Sequence, residues 1–182
     1  MMKAFTFLQK LRNKLKIKGE LDLEISKSAK LVGCTLKVKG KNNKLFIGEN
    51  TVLRNSFLEI IGDNSKIYIQ NNCMIGDNSY LSAKEGAVLT INKGCKLARN
   101  IKIMTSDGHP IYQNNVRMNP AKNITLQSSI WVADNVTILK GVEIGEGSVV
   151  GINSTLTKSI PSNSIAAGNP AVIVKKDIEW TM

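Results

Sequence analysis

The chain has 182 residues and carries 25 Lys and Arg against 14 Asp and Glu, a formal charge of +11 at pH 7. That length suits one domain with a real core, yet only four Phe, three Tyr and two Trp are available to fill it, so the core must be aliphatic. The basic balance fits anionic partners such as acidic glycans or phosphorylated cofactors, but no aromatic platform interleaves with the scattered lysines, which argues against nucleic acid.

At the N-terminus, Ala4, Phe5, Leu8, Leu11 and Leu15 follow helical spacing while Lys3, Lys10, Arg12, Lys14, Lys16 and Lys18 fill the rest. The spacing predicts a short amphipathic helix within residues 1–20. It has two readings: a cap over the first open edge of the fold, or an interfacial helix touching the inner membrane. The segment lacks the apolar run and cleavage site of a signal peptide, and no stretch is long enough to span a bilayer, so the expected location is the cytoplasm.

From 23 to 104 the chain repeats at a step of 22 residues, superimposing Leu23, Leu45, Ile67 and Leu89, and then Leu31, Leu53, Ile75 and Leu97. From 126 to 156 it repeats at six, with Leu126, Val132, Ile138, Ile144, Val150 and Leu156 at the large apolar position. Small or β-branched residues precede the last five of these by two places: Ile130, Val136, Val142, Ser148 and Ser154. A period of six matches neither a helix nor a half-buried strand, so each hexad is a short strand plus a corner. Three hexads close one turn of about 18 residues, and a 22-residue coil is the same turn with a longer corner. The whole of 21–182 therefore reads as one all-β parallel β-helix, with a tail at 171–182. Corner residues such as Gly76-Asp77-Asn78 and Gly145-Glu146-Gly147 support that reading. Cys73 and Cys95 fall at the small inward position aligned with Ala29 and Thr51, and no cysteine has metal-site spacing.

The ladder breaks once, at 105–122, and this ejected loop holds His109, the only histidine. Chemistry gathers on loops carried by rigid scaffolds. An imidazole titrates near neutrality and can take a proton from a hydroxyl or amine, although a loop histidine can equally serve only to bond a carbonyl.

Several strings together resemble the left-handed β-helix hexapeptide acyltransferases. They are the isoleucine-rich hexads, Asp107-Gly108-His109, Ile130-Trp131-Val132, the run from Asn135 to Val142, Thr157-Lys158-Ser159-Ile160-Pro161 and Ala167-Gly168-Asn169-Pro170-Ala171. Within that family the chain is most similar to bacterial sugar O-acetyltransferases of capsule and lipopolysaccharide synthesis. The resemblance implies a left-handed coil, a homotrimer, acetyl-CoA in the groove between subunits, no metal, and a saccharide acceptor. It implies His109 as general base and Trp131 as a wall of the active-site tunnel. It assigns CoA contacts to Asp134, Ile152, Thr157, Lys158 and Lys175. Asp107, Ser106 and Asn78 are further candidates for the acceptor side. The chain departs from the family at Ser128-Ser129, Ala133 and Ile152, the last of which narrows a cofactor groove. Competing readings are an N-acetyltransferase of an amino-sugar nucleotide and a non-catalytic glycan-binding or scaffold solenoid. A γ-type carbonic anhydrase needs three histidines and is excluded.

Overall fold

The structure, a computed structural model, describes residues 12–181. Most strand segments wind into a parallel solenoid with three faces, with almost no helix among the described residues. The first face comprises the later halves of β1 (Lys14–Ile25) and β3 (Thr35–Ile47), then β6 (Lys66–Ile69), β9 (Val88–Ile91), β14 (Ile124–Leu126) and β17 (Glu143–Ile144). The second stacks β2 (Lys30–Val32), β4 (Val52–Arg54), β7 (Met74–Ile75), β10 (Lys96–Leu97), β15 (Trp131–Val132), β18 (Val149–Val150) and β20 (Ile165–Gly168). The third holds the early halves of β1 and β3, followed by β5 (Phe57–Ile61), β8 (Tyr80–Lys84), β11 (Lys102–Met104), β16 (Thr137–Leu139) and β19 (Thr155–Leu156).

Register follows the repeat read from the sequence. Leu31, Leu53, Ile75, Leu97, Val132, Val150 and Ala166 pair in one ladder, each at most 2 % exposed. Leu36, Leu58, Leu81, Ile103, Ile138 and Leu156 form a second. Each fully buried Leu or Ile contributes about 1.5–3 kcal/mol, so identical inward positions make slippage by one residue very costly.

The corners turn on residues that accept a left-handed backbone. Asn78, Asn100, Asn135 and Asn153 share one corner with φ between 57° and 59°. Their carboxamides also stack: Asn100 Nδ2 donates to Asn135 Oδ1 at 2.9 Å and Asn135 Nδ2 to Asn153 Oδ1 at 3.0 Å. Small polar residues inside the corners cap the carbonyls of the turns, as when Thr51 Oγ1 donates to Gln70 O at 2.6 Å. Cys73 and Cys95 sit at that same inward position, their thiols directed at Asn92 O and Gln127 O at 3.1 Å, in agreement with the alignment.

The N-terminus differs from the sequence expectation. Residues 1–11 of the expected helix lie outside the described residues, but 14–20, placed within it, are strand. Lys14-Leu15-Lys16-Ile17-Lys18 also alternates with a period of two, and the open edge of β3 offers partners that an isolated helix lacks: Leu15 pairs with Leu36 and Ile17 with Val38. At the other end, β21 (Ala171–Lys175) folds back antiparallel on β20, so the first residues of the expected tail belong to the sheet. No helix of the described residues is long and apolar enough to cross a membrane.

Candidate active site

The 105–122 loop leaves the solenoid at the corner between the third and first faces, between β11 and β14. It carries a two-stranded hairpin, β12 (Tyr112–Gln113) and β13 (Val116–Arg117), turned by Asn114 and Asn115 at φ 49° and 61°. Two ion pairs tie the loop down. Arg117 Nη2 meets Glu85 Oε2 at 2.5 Å, and Lys140 Nζ meets Asp107 Oδ2. Ser106 Oγ donates to the other oxygen of Glu85 at 2.5 Å and accepts from Gly108 N–H at 3.1 Å. Hydrogen bonding by Ser106 and the charge of Arg117 lower the Glu85 pKa, and Lys140 does the same for Asp107, so both carboxylates stay ionised at neutral pH.

His109 is exposed on this loop, and no described residue hydrogen-bonds its imidazole. Its carbonyl instead accepts Asn119 Nδ2–H at 2.8 Å. The Asp107 carboxylate faces Asn119 and Lys140.

Trp131 stands on the second face, 44 % exposed, with the ring of Trp180 at a centroid distance of 6.1 Å. Trp180 is held by its own indole N–H, which donates to Ser129 O at 3.0 Å. Trp131 walls an open groove of about 380 Å³ that also touches Met74, Ala98, Arg54, Lys96 and Arg99. Asp134 lies at its edge, paired with the Arg99 guanidinium at 2.5 Å, which pulls its pKa down. The Asp134 carbonyl accepts Asn153 N–H at 3.1 Å, keeping one lone pair for a ligand. Ile152 occupies the next coil at the same corner and is 59 % exposed.

The expected site residues therefore fall in two groups. Asn78, Asp134 and Ile152 follow the corner between the second and third faces, beside Trp131. Ser106, Asp107 and His109 leave from the corner at the far end of the third face, where Thr157 and Lys158 are also exposed. Lys175 lies on β21 at the end of the second face. One chain does not bring Asn78 or Trp131 to His109. Three residues missed in the sequence also bear on the loop: Asn119 and Arg117 within it, and Lys140 on the next coil.

A parallel solenoid with one ejected, histidine-bearing loop is the arrangement that the resemblance to left-handed β-helix acyltransferases implies. No protein-family model matches the chain. The crystal structure of the polySia-specific acetyltransferase NeuO superimposes with a TM-score of 0.74 at 32 % identity, covering 95 % of this chain and 84 % of that one. The polysialic acid O-acetyltransferase OatWY gives 0.73 at 30 % identity, covering 93 % and 91 %. The chain belongs to the hexapeptide-repeat sugar O-acetyltransferases. A polysialic acid O-acetyltransferase of Escherichia coli O1:K1 / APEC is 41 % identical over 93 residues, 50 % of this chain and 30 % of that protein. A putative acetyltransferase of Staphylococcus aureus (strain Mu50 / ATCC 700699) is 44 % identical over 70 residues, 37 % of this chain and 35 % of that protein. The chain thus spans about a third of the length of these curated relatives. AntD, an N-acyltransferase from Bacillus cereus, shares the fold at a TM-score of 0.59 and 17 % identity.

Proposed function

We propose that this protein transfers the acetyl group of acetyl-CoA to a hydroxyl of an acidic bacterial surface saccharide, with His109 as general base. The observation that carries the reading is the placement of the only histidine on an exposed loop that two ion pairs fasten to the solenoid. Family membership supports the acyl transfer. The charge of +11 supports an anionic acceptor.

His109 takes the proton from the acceptor hydroxyl as that oxygen bonds to the acetyl carbon, then returns it to the thiol sulfur as the carbon–sulfur bond breaks. No acyl-enzyme forms. The Trp131 groove suits pantetheine, with an apolar wall and free carbonyl lone pairs at the Asp134 corner, while Lys158 and Lys175 suit phosphate as point charges. Because the histidine loop and the Trp131 corner lie at opposite ends of one face, a complete site needs two chains side by side, which supports a homotrimer.

The test is acetyl-CoA consumption with a panel of acidic, neutral and amino-sugar acceptors. Wild-type turnover with a hydroxyl acceptor should fall about 10²- to 10⁴-fold in His109→Ala, with CoA affinity retained. Product only from amino sugars would replace O-acetylation by N-acetylation. An unchanged rate would remove His109 from the chemistry, and failure to bind CoA would leave a glycan-binding scaffold.

A further inference from the structure

Beyond Thr105 and Ser106 at its root, the 105–122 loop buries one more polar residue by over nine-tenths. Asn119 is 8 % exposed, and its carboxamide is fully engaged. Nδ2 donates to His109 O at 2.8 Å and to Asp107 Oδ2 at 2.9 Å, while Oδ1 accepts Ile111 N–H at 2.6 Å. Since a peptide N–H can only donate and a carbonyl and a carboxylate only accept, the amide has one possible orientation. One side chain thus grips the Asp107 carboxylate and the backbone at 109 and 111, on both sides of the histidine.

Apart from Gly108 N–H donating to Ser106 Oγ at 3.1 Å and Met118 N–H donating to Ile111 O at 2.8 Å, the main chain around His109 has little else to hold it. Gly108 precedes it at φ 87° with open space where a Cβ would stand, and Pro110 follows with no N–H to donate. Asn119 is itself anchored to the solenoid. Lys140 Nζ, on the next coil and only 17 % exposed, donates to Asn119 O at 3.2 Å and pairs with the same Asp107 oxygen that Asn119 grips.

We propose that Asn119, braced by Lys140, is the positioning residue of the active site: it holds the His109 backbone at a fixed place, so that the imidazole is aimed without a carboxylate partner of its own. The kinetic part of this proposal rests on His109 as general base; the structural part does not. A base misplaced by about 1 Å loses up to about 10²-fold in rate, so the clamp acts on turnover rather than on donor binding.

The experiment uses the full-length protein and two variants. Asn119→Asp keeps the shape but turns the donor group into an acceptor opposite His109 O and the Asp107 carboxylate; Asn119→Ala removes the clamp. Because His109 is the only histidine, the imidazole C–H signals in a proton–carbon NMR spectrum of histidine-labelled protein report its surroundings directly, without reference to activity. In both variants the signals should collapse to the position and narrow line of free histidine. In both, kcat should fall about 10- to 100-fold, with the KM for acetyl-CoA held within about twofold and the solenoid's melting temperature nearly unchanged. Unmoved imidazole signals would overturn the clamp. Moved signals with full kcat would overturn its catalytic importance, and a large fall in melting temperature would make Asn119 a folding residue instead. Lys140→Met should produce the same signature at smaller amplitude, and its absence would remove the brace. If His109→Ala proves active, the general-base assignment fails, while the NMR arm still judges the clamp.

Discussion

Glu59 offers a direct measurement of how charges on the outer surface stabilise the solenoid. It lies on β5 and points away from the core, yet its side chain is only 7 % exposed. Lys84 Nζ at 2.8 Å, Lys37 Nζ at 2.9 Å and the Tyr80 hydroxyl enclose it, with Phe57 stacked on Tyr80 at 5.6 Å. Burial alone would raise the carboxyl pKa, but the hydrogen bonds from Lys84, Tyr80 and Lys37 outweigh it and hold the group at about 2, against an ordinary value near 4.5. At 1.36 kcal/mol per unit this sets a ceiling of about 3 kcal/mol, and screening at the half-exposed Lys37 brings the expected value to about 1.5 kcal/mol. A carboxylate with a depressed folded-state pKa contributes its full stability above the unfolded value. That contribution fades as pH falls from about 4.5 to about 2. Urea unfolding of the wild type and Glu59→Gln at a series of pH values isolates this group, because all other carboxylates titrate in both proteins. The wild type should lead by about 1.5 kcal/mol at pH 7, and the gap should close toward pH 2. A gap that stays constant down to pH 3 would mean that the loss is one of packing, and no gap at pH 7 would refute the electrostatic argument.

Further outcomes follow from the coil geometry. Ile138→Ala, in a position with no exposure, should cost about 2–5 kcal/mol in unfolding free energy; a cost under 1 kcal/mol would mean that the ladder collapses around the gap. Gly145→Ala would set a Cβ 2.2 Å from Ser162 N and 2.5 Å from Pro161 C, so the backbone must shift; the melting temperature should drop by several degrees, and an unchanged value would show that the corner yields freely. In Trp180→Phe, Trp131 becomes the only indole, and its fluorescence should change on adding CoA or the acceptor. A spectrum indifferent to both would remove Trp131 from the site.

The repeat was legible because every coil presents the same apolar positions inward, and pairing register simply follows them: Leu31 to Leu97 at one step, Leu126 to Leu156 at another. Where two patterns overlapped, the sequence misled. Leu8, Leu11 and Leu15 read as a helical stripe, but Leu15 and Ile17 also alternate, and the exposed edge of β3 selects strand from Lys14 onward. His109 and Trp131 were singled out in the sequence because unusual residues stand at distinctive places in a regular chain. Asn119 and Lys140 were not. Their importance lies in contacts made across 10 and 33 residues, and no periodicity records such distances.

The ejected loop shares its corner with the extra residues of the N-terminal coils, where Asp63, Asn64 and Glu85 lie. Across that corner the step between paired strands lengthens from 22 residues to 35, then shortens to 18 and 16, while the inward ladders continue unbroken. The strands on either side set the register, and the corner between them does not. This edge of the molecule therefore behaves as a socket: segments of different length and chemistry can be seated there while the core and the three faces stay as they are.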